Sequence, residues 1–523
     1  MNSEPSARDD SLETTRTDKR AARRRQRAES PLLKQPFRQL RNPLPPLEVI
    51  SPEQVEELHN ASLRILEQVG LDFMDDEALD LWQKAGARVD RSAQHVWIDR
   101  GLLMETIATA PAAFTWRARN PERHVTIGDN FIAFGPNGGM VYASGLERGR
   151  RIGTTEDYEN FLKLSQMCNV LHFGCWGQVE PQEIPTSIRH LRRLYAGFTL
   201  TDKAMMEAAH GREITGDIIN MAALVFGGLP DDPIIGDVIN VNSPLRFDSR
   251  MLGGLITLAR AGQATFVTPF ILAGAMSPIT LAAALAQQNA EVLAGVALTQ
   301  LVRPGAPVIY GGFTTNVDMK SGSPAFGSPE SAWAHIIGAQ LARRYHLPYR
   351  ASGSLTTAKT VDAQAASETL WTLWPPIMAH SNLIMHAAGW LEGGLTASFE
   401  KFIIDAENLA MFYHFLDGFT INDDTLALEM IAQVGPGGHH FGTTHTQARY
   451  SSEFFQATLS DRQPFDTWRE NGALDTMQRA SAVCQELLAQ YEPPPLDPAL
   501  DEALRDYVAR RERELEGRNL YDS

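Results

Sequence analysis

The chain has 523 residues, of which 43% are apolar, and it carries 47 Lys and Arg against 63 Asp and Glu, for a net charge of −16. That composition supplies a large core and argues against a nucleic-acid-binding body, because phosphates demand a basic face. Three cysteines (Cys168, Cys175, Cys484), 14 scattered histidines without an HExxH spacing, and the lack of a signal peptide or an 18-residue apolar run argue against a disulfide framework, a structural zinc site and a membrane span. A soluble cytoplasmic protein is expected, with neither nucleic acid nor membrane as a partner.

The charge is uneven. Residues 1–44 hold 11 Lys and Arg against 6 Asp and Glu, so the rest of the chain carries about −21. The run Lys19 to Arg27 (KRAARRRQR) has no interleaved aromatics and no apolar helix face, so residues 1–46 read as a disordered basic arm. The acidic body suits a cationic substrate.

Ordered structure is expected from residue 47. Ser51 with Gln54 three residues on makes a capping box, and Pro52 sits at the first helical position, so a helix should run through Ile65, Leu66 and Val69. Residues 47–124 are expected to form a helical cap region, with a helix at Leu79, Leu81 and Trp82 and a strand over 95–98. From residue 125 the pattern changes to short strands and glycine-rich turns.

Apolar runs then recur every 25 to 40 residues with helical stretches between them: near Phe131, then 171–177, 203–209, 237–244, 265–272, 307–313, 348–354 and 382–389. Eight strands at that spacing predict an α/β fold, a (β/α)8 TIM barrel over 125–404, which closes the sheet and leaves no edge. Residues 405–523 are expected to be a C-terminal helical extension. Its last helix, 499–515, reads as a wet or subunit-contact face because of its dense charge alternation.

In a barrel the chemistry lies at the C-terminal strand ends. That position selects Phe134 and Asn137, Trp176, Asn242, Tyr310 and Phe313, Gly353 and Ser354, then His386 and Trp390 as candidate substrate-binding residues. Gln178, Thr268 and Phe270 lie at equivalent positions. Aromatics and neutral polar residues dominate, carboxylates are nearly absent, and no nucleophile-base pair is visible. Aromatic faces hold a quaternary ammonium, which cannot donate a hydrogen bond, at roughly 0.5 to 2 kcal/mol per good contact. Trp371 and Trp374 share one helix face and are expected to pack. The loop GPGGHH at 435–440 lacks the GK[ST] of a phosphate loop, and His439, His440 and His445 lack a fourth metal ligand.

Five blocks in order carry a family resemblance: 266–280 (FVTPFILAGAMSPIT), 287–318 (QQNAEVLAGVALTQLVRPGAPVIYGGFTTNVD), 350–368 (RASGSLTTAKTVDAQAASE), 382–405 (NLIMHAAGWLEGGLTASFEKFIID) and 434–446 (VGPGGHHFGTTHT). With weaker stretches over about 50–515, the chain resembles the trimethylamine methyltransferase family of corrinoid-dependent barrel enzymes. All residues are of the twenty standard types, so it resembles the members without pyrrolysine, whose substrates include glycine betaine. Gly353 is the candidate counterpart of the pyrrolysine position, where a small residue would leave room for a fully methylated head group.

The resemblance implies a methyl transfer from a quaternary amine, foremost glycine betaine, to the Co(I) of a corrinoid (cobalamin). Proline betaine, carnitine, choline, trimethylamine or a non-catalytic betaine-binding role remain alternatives. Because the chain lacks a DxHxxG pattern, the corrinoid is expected on a separate small corrinoid protein and not bound tightly here. A homo-oligomer is also implied, with the N-terminal arm and the last helix as contact candidates, and the block at 434–446 is assigned by analogy to the corrinoid-facing side. The betaine carboxylate would need donors such as His386, Asn137, Asn242 or Ser354, with Arg350 as a partner if its strand register points it inward.

Overall fold

The computed structural model describes Leu32 and residues 35–520. The basic run at Lys19 to Arg27 therefore lies outside the described residues. Residues 35–46, assigned above to the arm, are docked: Leu40 and Asn42 are buried, and Leu40–Arg41 pairs antiparallel with residues 131 and 132.

The capping box at Ser51 and Gln54 forms as expected and starts helix α1 (Pro52–Arg64). The N-terminal region is an α/β layer more than a helical one, since strands at Leu71–Phe73, Arg88–Asp90 and His95–Trp97 pair with one another and with Arg246–Phe247. Its Leu66, Phe73, Leu79 and Trp82 are buried in the same core as the helices that surround the main sheet.

That sheet has eight parallel strands, each followed by a helix: β1 (Phe131–Phe134), α2 (Thr155–Met167), β2 (Phe173–Cys175), α3 (Arg189–Leu200), β3 (Ala204–Met206), α4 (Gly211–Phe226), β4 (Ile235–Val241), α5 (Ser249–Arg260), β5 (Ala264–Ala273), α6 (Leu281–Val302), β6 (Val308–Gly311), α7 (Pro329–Arg344), β7 (Tyr349–Ser352), α8 (Ala363–Met378), β8 (Leu383–Met385) and α9 (Phe399–Leu416). Spatial order is β1-β8-β7-β6-β5-β4-β3-β2. The fold is thus mixed α/β around a curled parallel sheet. Its two ends approach each other where His172 N–H donates to Phe134 O at 2.8 Å, and Phe134 N–H donates to His172 Nδ1 at 2.8 Å.

Side-chain alternation fixes the two faces of the sheet. Ala133, Phe173, Met206, Val238, Phe266 and Leu383 share the cluster on the concave face, covered by Trp116 from a hairpin (Phe114–Trp116 with Val125–Ile127). The alternate residues Phe134, Met205, Ile239, Val267, Tyr310 and Ile384 pack outward on helices. The hairpin lies at the N-terminal strand ends, since Arg117 N–H donates to Pro233 O and Asn120 N–H to Asp202 O. The C-terminal ends remain available for a site.

Helix α6 is long and apolar enough on average to cross a membrane, although polar residues interrupt it, and 83% of its most apolar 18-residue window is buried within the protein. Its polar residues explain why. Asn289 Nδ2 donates to Ser62 Oγ and Tyr345 Oη at 2.9 Å each, and Glu291 accepts from Ser243 Oγ at 2.6 Å.

Two helices complete the body, α10 (Thr476–Ala489) and α11 (Pro498–Glu514). The last of these keeps the expected wet side over much of its length, and its other side is docked. Leu504 and Val508 are buried, and Arg511 Nε donates to Asp217 Oδ1 at 2.6 Å, so α11 is docked on α3 and α4 of its own chain.

Candidate functional site

One group of predicted residues converges at the C-terminal ends of β5 to β8. The Phe313 ring lies 5.0 Å from Phe270, 5.3 Å from His386 and 6.2 Å from Trp390, while His386 and Trp390 are 4.6 Å apart. Phe326 completes the cluster, 5.5 Å from Trp390 and 5.6 Å from Phe313. Phe326 was not selected from the sequence because it comes from the loop ahead of α7, far from any apolar run.

Beneath these rings, β7 turns two polar side chains onto the concave face. Arg350 pairs in register with Leu383, a concave-face residue, and is 2% exposed. The register condition attached to Arg350 in the sequence is therefore met. Its guanidinium lies 5.2 Å from the Phe313 centroid, Nε is 3.3 Å from Met385 Sδ, and Nη1 is 3.4 Å from Gly312 O. No carboxylate pairs with Arg350 among the described residues. Burial pulls its pKa down to about 10. Ser352 Oγ lies 3.0 Å from His386 Nδ1.

The same region holds buried polar atoms without partners. Trp390 Nε1 is buried and unpartnered, as are both ring nitrogens of His335 on α7. Burial, then the nearby Arg350 charge, holds His335 at a pKa of about 3 and His386 well below the usual histidine range, so both rings are neutral at pH 7. A buried donor that meets no acceptor costs about 1–3 kcal/mol, and an anion entering here would recover it.

The loops that carry Ser354 and Trp390 are tied from below. Lys401 and Asp405 form a buried pair at 2.5 Å; Lys401 Nζ also donates to Ser354 O at 3.3 Å, and Asp405 Oδ2 accepts from Gly389 N–H at 2.9 Å. Ser354 and His386 both have left-handed backbone conformations, φ 53° and 59°, where the chain turns off its strand.

Other predicted residues lie elsewhere. Phe134 and Tyr310 face outward, Phe134 toward His172 and Tyr413 and Tyr310 toward Asn289, to whose Oδ1 its hydroxyl donates at 3.0 Å. Asn242 is exposed and caps a turn by accepting from Asp248 N–H at 3.1 Å. A Cβ on Gly353 would meet Leu373 and Ile384 on the outer side, so its smallness serves helix packing and not the cavity side. Ser354 Oγ is occupied by Ala387 O at 2.9 Å. Asn137 is buried, donates to Gln178 O at 3.0 Å, and keeps an unpartnered Oδ1.

Trp176 belongs to a second group at the ends of β2 to β4. Its Nε1 donates to Asp237 Oδ1 at 3.1 Å, and Arg193, 5.5 Å from its ring, bridges Glu180 at 2.7 Å and Glu207 at 2.5 Å. Burial pushes Glu207 up to about 7 and Asp237 well above the carboxylate range. More carboxylates thus lie near these strands than the strand-end positions suggested; Glu207 and Asp237 sit inside the apolar runs 203–209 and 237–244, and only their partners Arg193 and Trp176 mark them.

The chain matches the trimethylamine methyltransferase (MTTB) family over residues 16–516. It belongs to that family. It is 41% identical over 475 residues to a glycine betaine methyltransferase of Desulfitobacterium hafniense (strain Y51), spanning 90% of this chain and 98% of the relative. It is 33% identical over 474 residues to the trimethylamine methyltransferase MttB of Desulfitobacterium hafniense (strain DSM 10664 / DCB-2), spanning 89% and 94%. The crystal structure of the Methanosarcina barkeri monomethylamine methyltransferase (MtmB) aligns with a TM-score of 0.49 at 8% identity, over 86% of this chain and 90% of that one. This member of the trimethylamine methyltransferase family is a methyltransferase, and the aromatic cluster over Arg350 is its candidate substrate site.

Proposed function

We propose that the chain demethylates glycine betaine to dimethylglycine, passing the methyl group to the Co(I) of a cytoplasmic partner corrinoid protein. The observation that carries this reading is Arg350: a buried cation without a carboxylate, set under aromatic rings. A zwitterion with a trimethylammonium head and a carboxylate complements both parts. The carboxylate would take Arg350 with His386 and the free Trp390 N–H, and the head group would lie against Phe313, Phe270 and Phe326. The His172–Phe134 bonds and the eight strand-helix units support closure of the sheet as a (β/α)8 barrel, whose mouth would present this site to the partner.

Cleavage of an N-methyl bond on a quaternary ammonium leaves the electron pair on nitrogen, so the product amine departs neutral and needs no proton. A Co(I) corrinoid supplies the nucleophile. The chain's own contribution is to fix the carboxylate, align one methyl toward the open end and exclude water, effects that reach several kcal/mol when geometry is tight. His386 and Ser352, paired at 3.0 Å beside Phe313 and Trp390, would then serve to position the substrate and would transfer no proton. Proline betaine and carnitine also carry a carboxylate and are the runner-up substrates, whereas choline and trimethylamine would leave Arg350 unpaired.

The test is to mix the protein, its corrinoid partner in the Co(I) state and each of glycine betaine, proline betaine, carnitine, choline and trimethylamine. Loss of the Co(I) absorbance with stoichiometric dimethylglycine from glycine betaine supports the proposal. Faster turnover of choline or trimethylamine than of any carboxylate-bearing compound would sink it, and binding of betaine without demethylation would leave a binding protein.

A further inference from the structure

Residues 417–458 leave the body at the end of α9 and return to it, and none of them is buried. Thr458 and Leu459 N–H groups close the excursion by donating to Glu407 of α9 at 2.8 and 3.0 Å. Within this arm are three short helices, Asp423–Leu426, Leu428–Val434 and Thr444–Arg449, each without a buried residue. Helices of one or two turns are not stable in water without tertiary packing. The arm is nevertheless rich in large apolar side chains, with Phe419 and Phe441 both 86% exposed and Ile421, Leu428, Tyr450 and Phe454 between 67% and 72%.

The same chain has an apolar groove on the solvent side of α8 and α9, lined by Leu370, Trp371, Trp374, Met411 and Phe415. Trp371 and Trp374, expected from the sequence to pack, are 52% and 42% exposed, and only the Trp374 ring has close aromatic neighbours, Phe412 at 5.1 Å and Phe415 at 5.2 Å. One helix, α9, therefore supplies both a wall of the groove and the root of the arm.

We infer that the arm at 417–458 covers the α8/α9 groove of a second copy of this chain, and that the exchange is reciprocal about a two-fold axis beside α9. Area supports this occupant. Taking each large aromatic as 150–250 Å² of buriable surface, the exposed apolar side chains of one arm offer on the order of 1,000 Å². Two arms would bury roughly 2,000 Å², which is the range of stable dimers, whereas a lone soluble chain rarely exposes more than about 300–600 Å² in one patch. Adjacency supports it as well, because an arm rooted on a groove wall reaches the partner's groove when the two α9 helices lie side by side. A corrinoid protein that docks and leaves with each turnover is the poorer occupant, since such contacts are more polar and this surface would return to water every cycle. The interface so defined involves neither the N-terminal arm nor α11.

The mass of the full chain in solution, together with hydrogen exchange across 417–458, tests the inference without any substitution. The expected result is a mass of at least twice 57.8 kDa, with arm amides that are protected at high protein concentration and exchange at least tenfold faster on dilution to monomer. Phe441→Ser with Phe454→Ser in the arm, and Trp371→Ser with Trp374→Ser in the groove, should each weaken self-association at least tenfold while retaining the far-ultraviolet spectrum of the native protein. Phe441→Cys in one sample and Trp371→Cys in another, treated with a mild thiol oxidant such as diamide, should give an intermolecular disulfide only after mixing, since the native cysteines are buried. A 57.8 kDa species with an unprotected arm overturns the inference. So does a multimer whose arm stays unprotected, or an arm protected only on addition of the corrinoid protein.

Discussion

The guanidinium of Arg350 lies 5.2 Å from the ring centroid of Phe313, so the concave face presents a cation and an aromatic wall side by side. An arginine buried without a counter-ion is costly, and its depressed pKa of about 10 expresses that cost. The deficit has a use if the ligand supplies the anion. Arg350→Met should therefore raise the melting temperature of the ligand-free protein, by up to about 3 kcal/mol in stability, because every tenfold change in an ionisation equilibrium corresponds to about 1.4 kcal/mol. The same substitution should raise KM for glycine betaine by about 30-fold or more, as expected for losing one partner of a buried charge pair. Calorimetry with and without betaine checks both halves. A variant that is less stable and still binds betaine normally would count against an anion role for Arg350.

Trp390 contributes a ring and an indole N–H, and the two can be separated. Trp390→Phe keeps a face for the ammonium head and removes the buried, unpartnered donor. KM should rise by about 10- to 150-fold, as one hydrogen bond to a charged group is worth roughly 1.5 to 3 kcal/mol. Trp390→Leu removes both and should cost a further 2- to 30-fold by the usual range of cation-π attraction. Steady-state kinetics on the pair, with kcat little changed in the first, is the check.

The sheet's seam should sense acid. His172 Nδ1 accepts from Phe134 N–H, which leaves its proton on Nε2, 2.8 Å from Tyr413 Oη. Burial lowers its pKa from 6.5 to about 4. A histidine depressed in the folded state contributes stability above its unfolded pKa and loses it as pH falls from about 6.5 toward 4. At pH 5 that loss is about 2 kcal/mol. Denaturant midpoints of the native protein and of His172→Leu, measured at pH 7.5 and pH 5, should converge by that amount at the lower pH. Equal gaps at both pH values would assign the acid sensitivity to other buried histidines.

Strand positions were legible in the sequence because each apolar run between helices reports burial, and all eight recur in the sheet. Side-chain direction was not. Phe134 and Tyr310 end such runs as naturally as Phe313 does, yet alternation sends them outward, and a shift of one residue would reverse this. Arg350 was legible only as a conditional for the same reason. Phe326 and His335 lie in a loop and on a helix, where no periodic signal marks approach to the site. The charge pattern of α11 suggested solvent because Asp217 and Glu213, its partners, lie nearly 300 residues away.

Gly353 separates packing from substrate selection. A Cβ there would lie 2.7 Å from Leu373 Cδ1 and 3.0 Å from Ile384 Cγ2, both outside the concave face. Gly353→Ala should therefore cost about 1–3 kcal/mol through overpacking against α8. The relative rates on betaine and choline should be unchanged, because the added methyl never reaches Phe313 or Arg350. Thermal denaturation and a two-substrate competition assay read the two effects independently. A selectivity change of more than threefold with unaltered stability would mean that the methyl group projects into the substrate site, returning Gly353 to the role its sequence position first suggested.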